Sequence, residues 1–148
     1  MQNSYSVKNL QDLENFAEEL LKWLQDNSIN CVLLYGELGV GKTALVQKVA
    51  KLFGIKQKIT SPTFVIMKDY PLQNSSVFSE FIHIDAYRLK NKDDIKAFDI
   101  DNLVKDNKKL IFIEWPEKIF DVAPSECLSI RFTVDHKTAV RELALSLP

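Results

Sequence analysis

Gly36-Glu37-Leu38-Gly39-Val40-Gly41-Lys42-Thr43 fits G-x-x-x-x-G-K-[ST], the spacing of a phosphate-binding loop. The chain has four glycines, and three of them fall within these six residues, 36–41. Glycines at such places let the backbone fold tightly round an anion, so that successive N–H groups point inward at phosphates. A helix that starts at the end of the loop adds its own free N–H groups and the positive end of its dipole. In this pattern Lys42 reaches the β- and γ-phosphates, and the Thr43 hydroxyl binds Mg²⁺. The backbone of Gly36, Glu37, Leu38, Gly39, Val40, Gly41 and Ala44 forms the rest of the cradle.

Such a loop needs an acidic partner, because Mg²⁺ neutralises the β/γ oxygens and a carboxylate at a strand end anchors its water shell. Two apolar runs end in one. Leu110-Ile111-Phe112-Ile113 leads to Glu114, and Phe81-Ile82-His83-Ile84 leads to Asp85. In open α/β sheets a ligand lies beyond the carboxyl ends of the strands, so both acids are well placed. The alternative for either is a loop cap or a partner for Arg88, and spacing alone does not divide the roles between them. Two look-alikes fail. Asn91-Lys92-Asp93-Asp94 matches the guanine-reading N-K-x-D, but it follows no buried strand, and Gly54 is the last glycine, so no D-x-x-G can follow. His83 and Asp85 form a single His-x-Asp without a further His or Cys cluster, which is weak for zinc; His83 reads as a partly buried histidine on a strand.

The elements that must position these groups are legible. Cys31-Val32-Leu33-Leu34-Tyr35 is an apolar run of strand length before the loop. Residues 43–53 have helical spacing, with Leu45, Val49, Leu52 and Phe53 on one face and Gly54 suited to the C-cap. Upstream, Leu10 to Gln25 is an amphipathic helix with Leu13, Phe16, Leu20, Leu21 and Leu24 on its apolar side and Asn9 as N-cap. Downstream, Thr60-Ser61-Pro62-Thr63 is a polar turn, Phe64-Val65-Ile66-Met67 an apolar run, and Pro71 to Ser76 a hairpin-like loop. Val77 to Asp85 is a strand antiparallel to the run before it, because the connection is too short for a crossover helix. Lys92 to Val104 contains short helical turns. Leu110 to Ile113 is a strand buried on both faces. Leu128 to Val134 and Val140 to Leu147 alternate and form a C-terminal hairpin. The expected fold is one α/β domain over residues 1–148: a three-layer, P-loop NTPase-like arrangement with a mostly parallel central sheet and antiparallel strands added.

Bulk properties exclude some classes. The formal net charge is −1, so no strong overall field draws the 148-residue chain to DNA, RNA or a membrane surface. Met1-Gln2-Asn3-Ser4-Tyr5 opens no signal peptide, and no apolar run approaches the ~20 residues of a membrane span. Cys31 and Cys127 sit in apolar runs and read as reduced core residues. Together these features point to a cytoplasmic protein.

Read together, Gly36 to Thr43, Ser61-Pro62-Thr63-Phe64, His83-Ile84-Asp85-Ala86-Tyr87-Arg88-Leu89 and Ile113-Glu114-Trp115-Pro116-Glu117 resemble the TsaE (YjeE) family of bacterial ATPases required for threonylcarbamoyladenosine modification of tRNA. The resemblance covers nearly the whole chain. It implies that Lys42 and Thr43 bind ATP and Mg²⁺ and that Thr63, with Ser61 and Pro62, belongs to a switch-type loop sensing the γ-phosphate. It also makes Glu114 the second protein ligand of Mg²⁺ and Asp85 the essential acid near the attacking water. Trp115 matches a tryptophan beside the metal site, and Arg141 a basic residue near the nucleotide. Val40 and Ala44 stand where the family usually has Ala and Thr, and Leu13 and Ala17 where it often has Thr and Gly. The second pair puts a polar nucleotide contact from the N-terminal segment in doubt. The resemblance further implies docking on a TsaD–TsaB pair when ATP binds, with hydrolysis resetting that complex, so that tRNA is met only through it. ATP over GTP rests on the resemblance alone.

Two other readings of the same residues remain. A small-molecule P-loop kinase has a similar size, but kinases clamp the phosphoryl group with several lid arginines. This chain has only Arg88, Arg131 and Arg141. A nucleotide-gated adaptor would bind without hydrolysing.

Overall fold

Alternation and continuous apolar runs build one mixed sheet between two helical layers. The computed structural model describes residues 2–57, 59, 66–73, 75–89, 98–122 and 124–146. Among these, the strands are β1 (Ser4–Val7), β2 (Cys31–Tyr35), β3 (Met67–Pro71), β4 (Glu80–Asp85), β5 (Lys109–Glu114), β6 (Leu128–Val134) and β7 (Arg141–Ser146). They lie side by side in the order β1-β7-β6-β2-β5-β4-β3. The centre, β6-β2-β5-β4, is parallel, and β3, β7 and β1 add antiparallel edges. This is the expected architecture.

The central strands read as unbroken apolar runs because both of their faces are covered. Val32, Leu34, Leu110 and Phe112 point into the layer of helices α1 (Leu10–Asp26) and α2 (Lys42–Leu52). Cys31, Leu33, Ile111 and Ile113 point the other way, toward α3 (Ile100–Lys105). Helix α1 starts where expected: the Asn9 side chain accepts from the Asp12 N–H at 2.9 Å, satisfying one orphan donor of the first turn. Its buried face is Leu13, Phe16, Ala17, Leu20 and Leu24. No helix among the described residues is long and apolar enough to cross a membrane. Cys31 and Cys127 are both buried, and the neighbouring Cys127 thiol, together with burial, pushes the Cys31 thiol well above its ordinary value.

Some boundaries differ from the sequence reading. The buried face of α2 is Leu45, Val46, Val49 and Ala50, while Leu52 is 38% exposed. At about 100° per residue, Leu52 falls at the margin of that arc and Phe53 near its middle. Phe53 accordingly packs on Phe81. Regular pairing of β4 begins at Glu80, opposite Lys109, and not at Val77. The preceding residues turn instead, with Phe78 N–H donating to Ser75 Oγ and Leu72 N–H to the Ser79 carbonyl. β3 starts at Met67, the last residue of the apolar run expected there, and continues over Lys-Asp-Tyr-Pro, while Phe64 and Val65 lie outside the described residues. An edge strand has a solvated face that tolerates Lys68 and Asp69, and Pro71 lacks the N–H that a further partner would need. β1 was not anticipated. Its Ser-Tyr-Ser-Val alternation turns Val7 and Tyr5 inward, where the Tyr5 ring meets Phe16 at 4.8 Å between centroids. Ser61, Pro62, Thr63, Phe64 and Asn91 to Asp94 lie outside the described residues.

Candidate active site

The site forms where three parallel strands end. Tyr35 closes β2, Glu114 closes β5 and Asp85 closes β4, and Asp85 pairs in register with Glu114. Strand alternation sets which side chains meet. On β4, Phe81, His83 and Asp85 share a face; on β5, Leu110, Phe112 and Glu114 do. That face is the one covered by α2, so the first residues of α2 meet the acids.

The loop from β2 to α2 is held by glycine geometry. Gly36 and Gly41 have φ values of 136° and 115°, a region that disfavours side chains. A Cβ on Gly36 would also stand 2.7 Å from the backbone oxygen of Phe132. Gly36→Ala is therefore expected to destabilise the fold by about 1–3 kcal/mol and to lower the melting temperature by several degrees. An unchanged melting curve would contradict this loop geometry. Val40, beneath the loop, is buried, whereas Glu37, Leu38 and Gly39 are exposed. Leu38 is 71% exposed.

Lys42, the first residue of α2, is only 4% exposed. Its ammonium donates to the carbonyls of Gly36 at 2.6 Å and Glu37 at 2.9 Å, and lies 4.0 Å from the centre of the Trp115 ring. Burial pulls its pKa below the ordinary lysine value, while the nearby charges of Glu114, Asp85 and Glu117 oppose that shift. Next to it, the Thr43 hydroxyl lies 2.8 Å and 3.0 Å from the two oxygens of Glu114. Glu114 is 3% exposed and also contacts His83 Nε2 at 2.9 Å. Asp85 accepts from the Tyr87 N–H at 3.0 Å, which turns the chain as it leaves β4. Trp115 occupies the left-handed region at φ 59°, ψ 49°, and so folds its ring back across Lys42 and against Tyr87 at 5.0 Å. Strain of this kind gathers at functional sites. A cleft of about 190 Å³ opens between Lys42, Thr43, Asp85, Glu114 and Trp115.

Arg141, at the start of β7, braces the loop from the other side: its Nε donates to the Val40 carbonyl at 2.9 Å. It also borders a second, mainly apolar hollow of about 230 Å³, walled by Val7, Leu10, Leu13, Ala44 and Phe132. The two hollows meet at Gly41 and Ala44.

With this geometry the relatives can be placed. The model of the family described as threonylcarbamoyl adenosine biosynthesis protein TsaE matches residues 7–143. The chain belongs to the TsaE family. It is 33% identical over 132 residues to the tRNA threonylcarbamoyladenosine biosynthesis protein TsaE of Rickettsia bellii, covering 88% of this chain and 86% of that one. To the protein of the same name from Streptomyces coelicolor it is 35% identical over 120 residues, covering 80% and 77%. The crystal structure of Bacillus subtilis YdiB superposes with a TM-score of 0.66 at 20% identity, covering 98% of this chain and 85% of that one, and so shares the fold.

Lys42, Thr43, Asp85 and Glu114, singled out by motif, thus come together in one cleft of a TsaE fold, with Gly39, Gly41 and Ala44 on its wall. Arg141 stands beside Gly41, at the second hollow, and Thr63 lies outside the described residues. Two features escaped the sequence reading. His83 is fully buried and bonded to Glu114, where a partly buried histidine was expected. Its place two residues before Asp85 on a strand was the available signal, since i and i+2 share a face. The second hollow draws on β1, α1 and the C-terminal hairpin, and no local motif marks it.

Proposed function

We propose that this TsaE-family chain is an Mg²⁺-dependent ATP hydrolase supporting threonylcarbamoyladenosine modification of tRNA at position 37. The observation that carries the reading is the contact of the Thr43 hydroxyl with the Glu114 carboxylate at 2.8 Å, one residue from a buried lysine in a phosphate-binding loop. One hydroxyl and one carboxylate suit Mg²⁺, which takes oxygen ligands and keeps several waters. Mg²⁺ held there would neutralise charge on the β/γ oxygens.

In this reading the loop N–H groups and Lys42 hold the phosphates, Lys42 exchanging the Gly36 and Glu37 carbonyls for phosphate oxygens. Asp85 orients the attacking water. The water oxygen bonds to the γ-phosphorus, the bond to the bridging oxygen breaks, and ADP and phosphate result. Arg141 flanks the nucleotide. The base enters the apolar hollow, where Leu13 offers it a nonpolar wall in place of a hydroxyl contact.

Docking on TsaD–TsaB fits the rim of the cleft. Leu38 is 71% and Tyr87 45% exposed, and Tyr87 packs against Trp115. Apolar groups around a phosphate site suit a partner that covers it and excludes water. The test is association with TsaD–TsaB in ATP–Mg²⁺, in ADP–Mg²⁺ and without nucleotide. The reading expects tightest association with ATP–Mg²⁺; equal association in all three conditions would contradict it.

A further inference from the structure

Glu114 has a third neighbour whose position is unusual. His83 lies at 0% exposure on β4, its Nε2 is 2.9 Å from Glu114 Oε1, and its Nδ1 has no hydrogen-bond partner among the described residues. It is not among the residues that line the cleft, so it reaches the site only through Glu114. A carboxylate only accepts hydrogen bonds, so the proton in this contact sits on Nε2.

The two oxygens of Glu114 differ in this contact: Oε1 meets both His83 Nε2 at 2.9 Å and the Thr43 hydroxyl at 2.8 Å, whereas Oε2 meets the Thr43 hydroxyl at 3.0 Å and receives nothing from His83. We propose that His83 is a positioning residue that tethers Glu114 Oε1 and thereby presents Oε2, beside Thr43, to the metal ion. An apolar side chain would fill the same core but leave the carboxylate held from the Thr43 side alone. Outer-shell hydrogen bonds of this kind set metal affinity. The inference rests on the proposed role of Glu114 toward Mg²⁺.

The test measures affinity for a fluorescent ATP analogue in Mg²⁺ and in EDTA, for the intact protein and for His83→Gln, His83→Asn and His83→Leu. Glutamine carries an N–H at the ε position; asparagine carries it one bond short. The intact protein and His83→Gln should share one Mg²⁺-to-EDTA affinity ratio. His83→Asn and His83→Leu should lower that ratio by about 10- to 100-fold, with EDTA affinity unchanged. If both keep the full ratio, the tether is overturned while the Mg²⁺ assignment stands. If the intact protein shows no Mg²⁺ effect, the assignment falls and the inference with it. Nitrogen-15 NMR of the intact protein needs no variant: a proton on Nε2 is expected, and a bare Nε2 overturns the proposal even if every substitution unfolds the chain.

Discussion

Lys42→Ala is expected to weaken ATP binding by about 10- to 100-fold and to abolish turnover. A charge-assisted hydrogen bond contributes about 1.5–3 kcal/mol, and each 1.4 kcal/mol is roughly tenfold in affinity. The loss in turnover is larger, because in the proposed function Lys42 also meets charge that develops during phosphoryl transfer. The fold should survive. Burial pulls the Lys42 pKa down, so removal of this cation relieves a burial cost and offsets the lost contacts to Gly36 and Glu37. Calorimetric titration alongside a melting curve checks both halves. Unchanged affinity in a folded variant would move the phosphate site elsewhere.

Glu114→Gln should separate binding from turnover. Glutamine keeps the shape: its oxygen can accept from His83, and its amide can donate to Thr43. It removes the negative charge that would hold Mg²⁺. Hydrolysis should fall by roughly 10²–10³-fold, the scale for a lost electrostatic group in the transition state, while affinity in EDTA stays near that of the intact protein. Glu114→Ala differs in kind. It leaves the Thr43 hydroxyl and His83 Nε2, now bonded at 2.8 and 2.9 Å, without this acceptor. A buried unsatisfied group costs about 1–3 kcal/mol, so the alanine variant should also melt earlier. Equal turnover in the glutamine variant and the intact protein would remove Glu114 from the chemistry.

What could be read in the sequence follows from how local each signal is. The phosphate-binding pattern is written in contiguous residues, so Gly36 to Thr43 could be placed between a strand and a helix. Glu114 and Asp85 were recognisable because each ends an apolar run, and such runs end at the ligand edge of a parallel sheet. The C-terminal hairpin announced itself by alternation. Edge strands did not: β3 carries Lys68 and Asp69 on a solvated face, and β1 has only two inward residues. The partnership of His83 with Glu114 depends on which strands are neighbours, and residues 31 positions apart in sequence carry no local sign of that. The apolar hollow beside Arg141 needs β1, α1 and β7 assembled before it exists. The sequence reading of Leu13, a residue out of keeping with a polar contact, becomes intelligible once it is seen as a wall of that hollow.

Phosphate release from ATP–Mg²⁺, followed for the protein alone and with TsaD–TsaB, and with Lys42→Ala as control, tests the central claim most directly. The account predicts slow release by the protein alone, stimulation by the pair, and no release above background from the Lys42 variant in either condition. ADP formed only with a small-molecule phosphate acceptor, and without free phosphate, would make the chain a kinase. Tight ATP binding with no release, even with both partners present, would make it a gated adaptor and contradict hydrolysis.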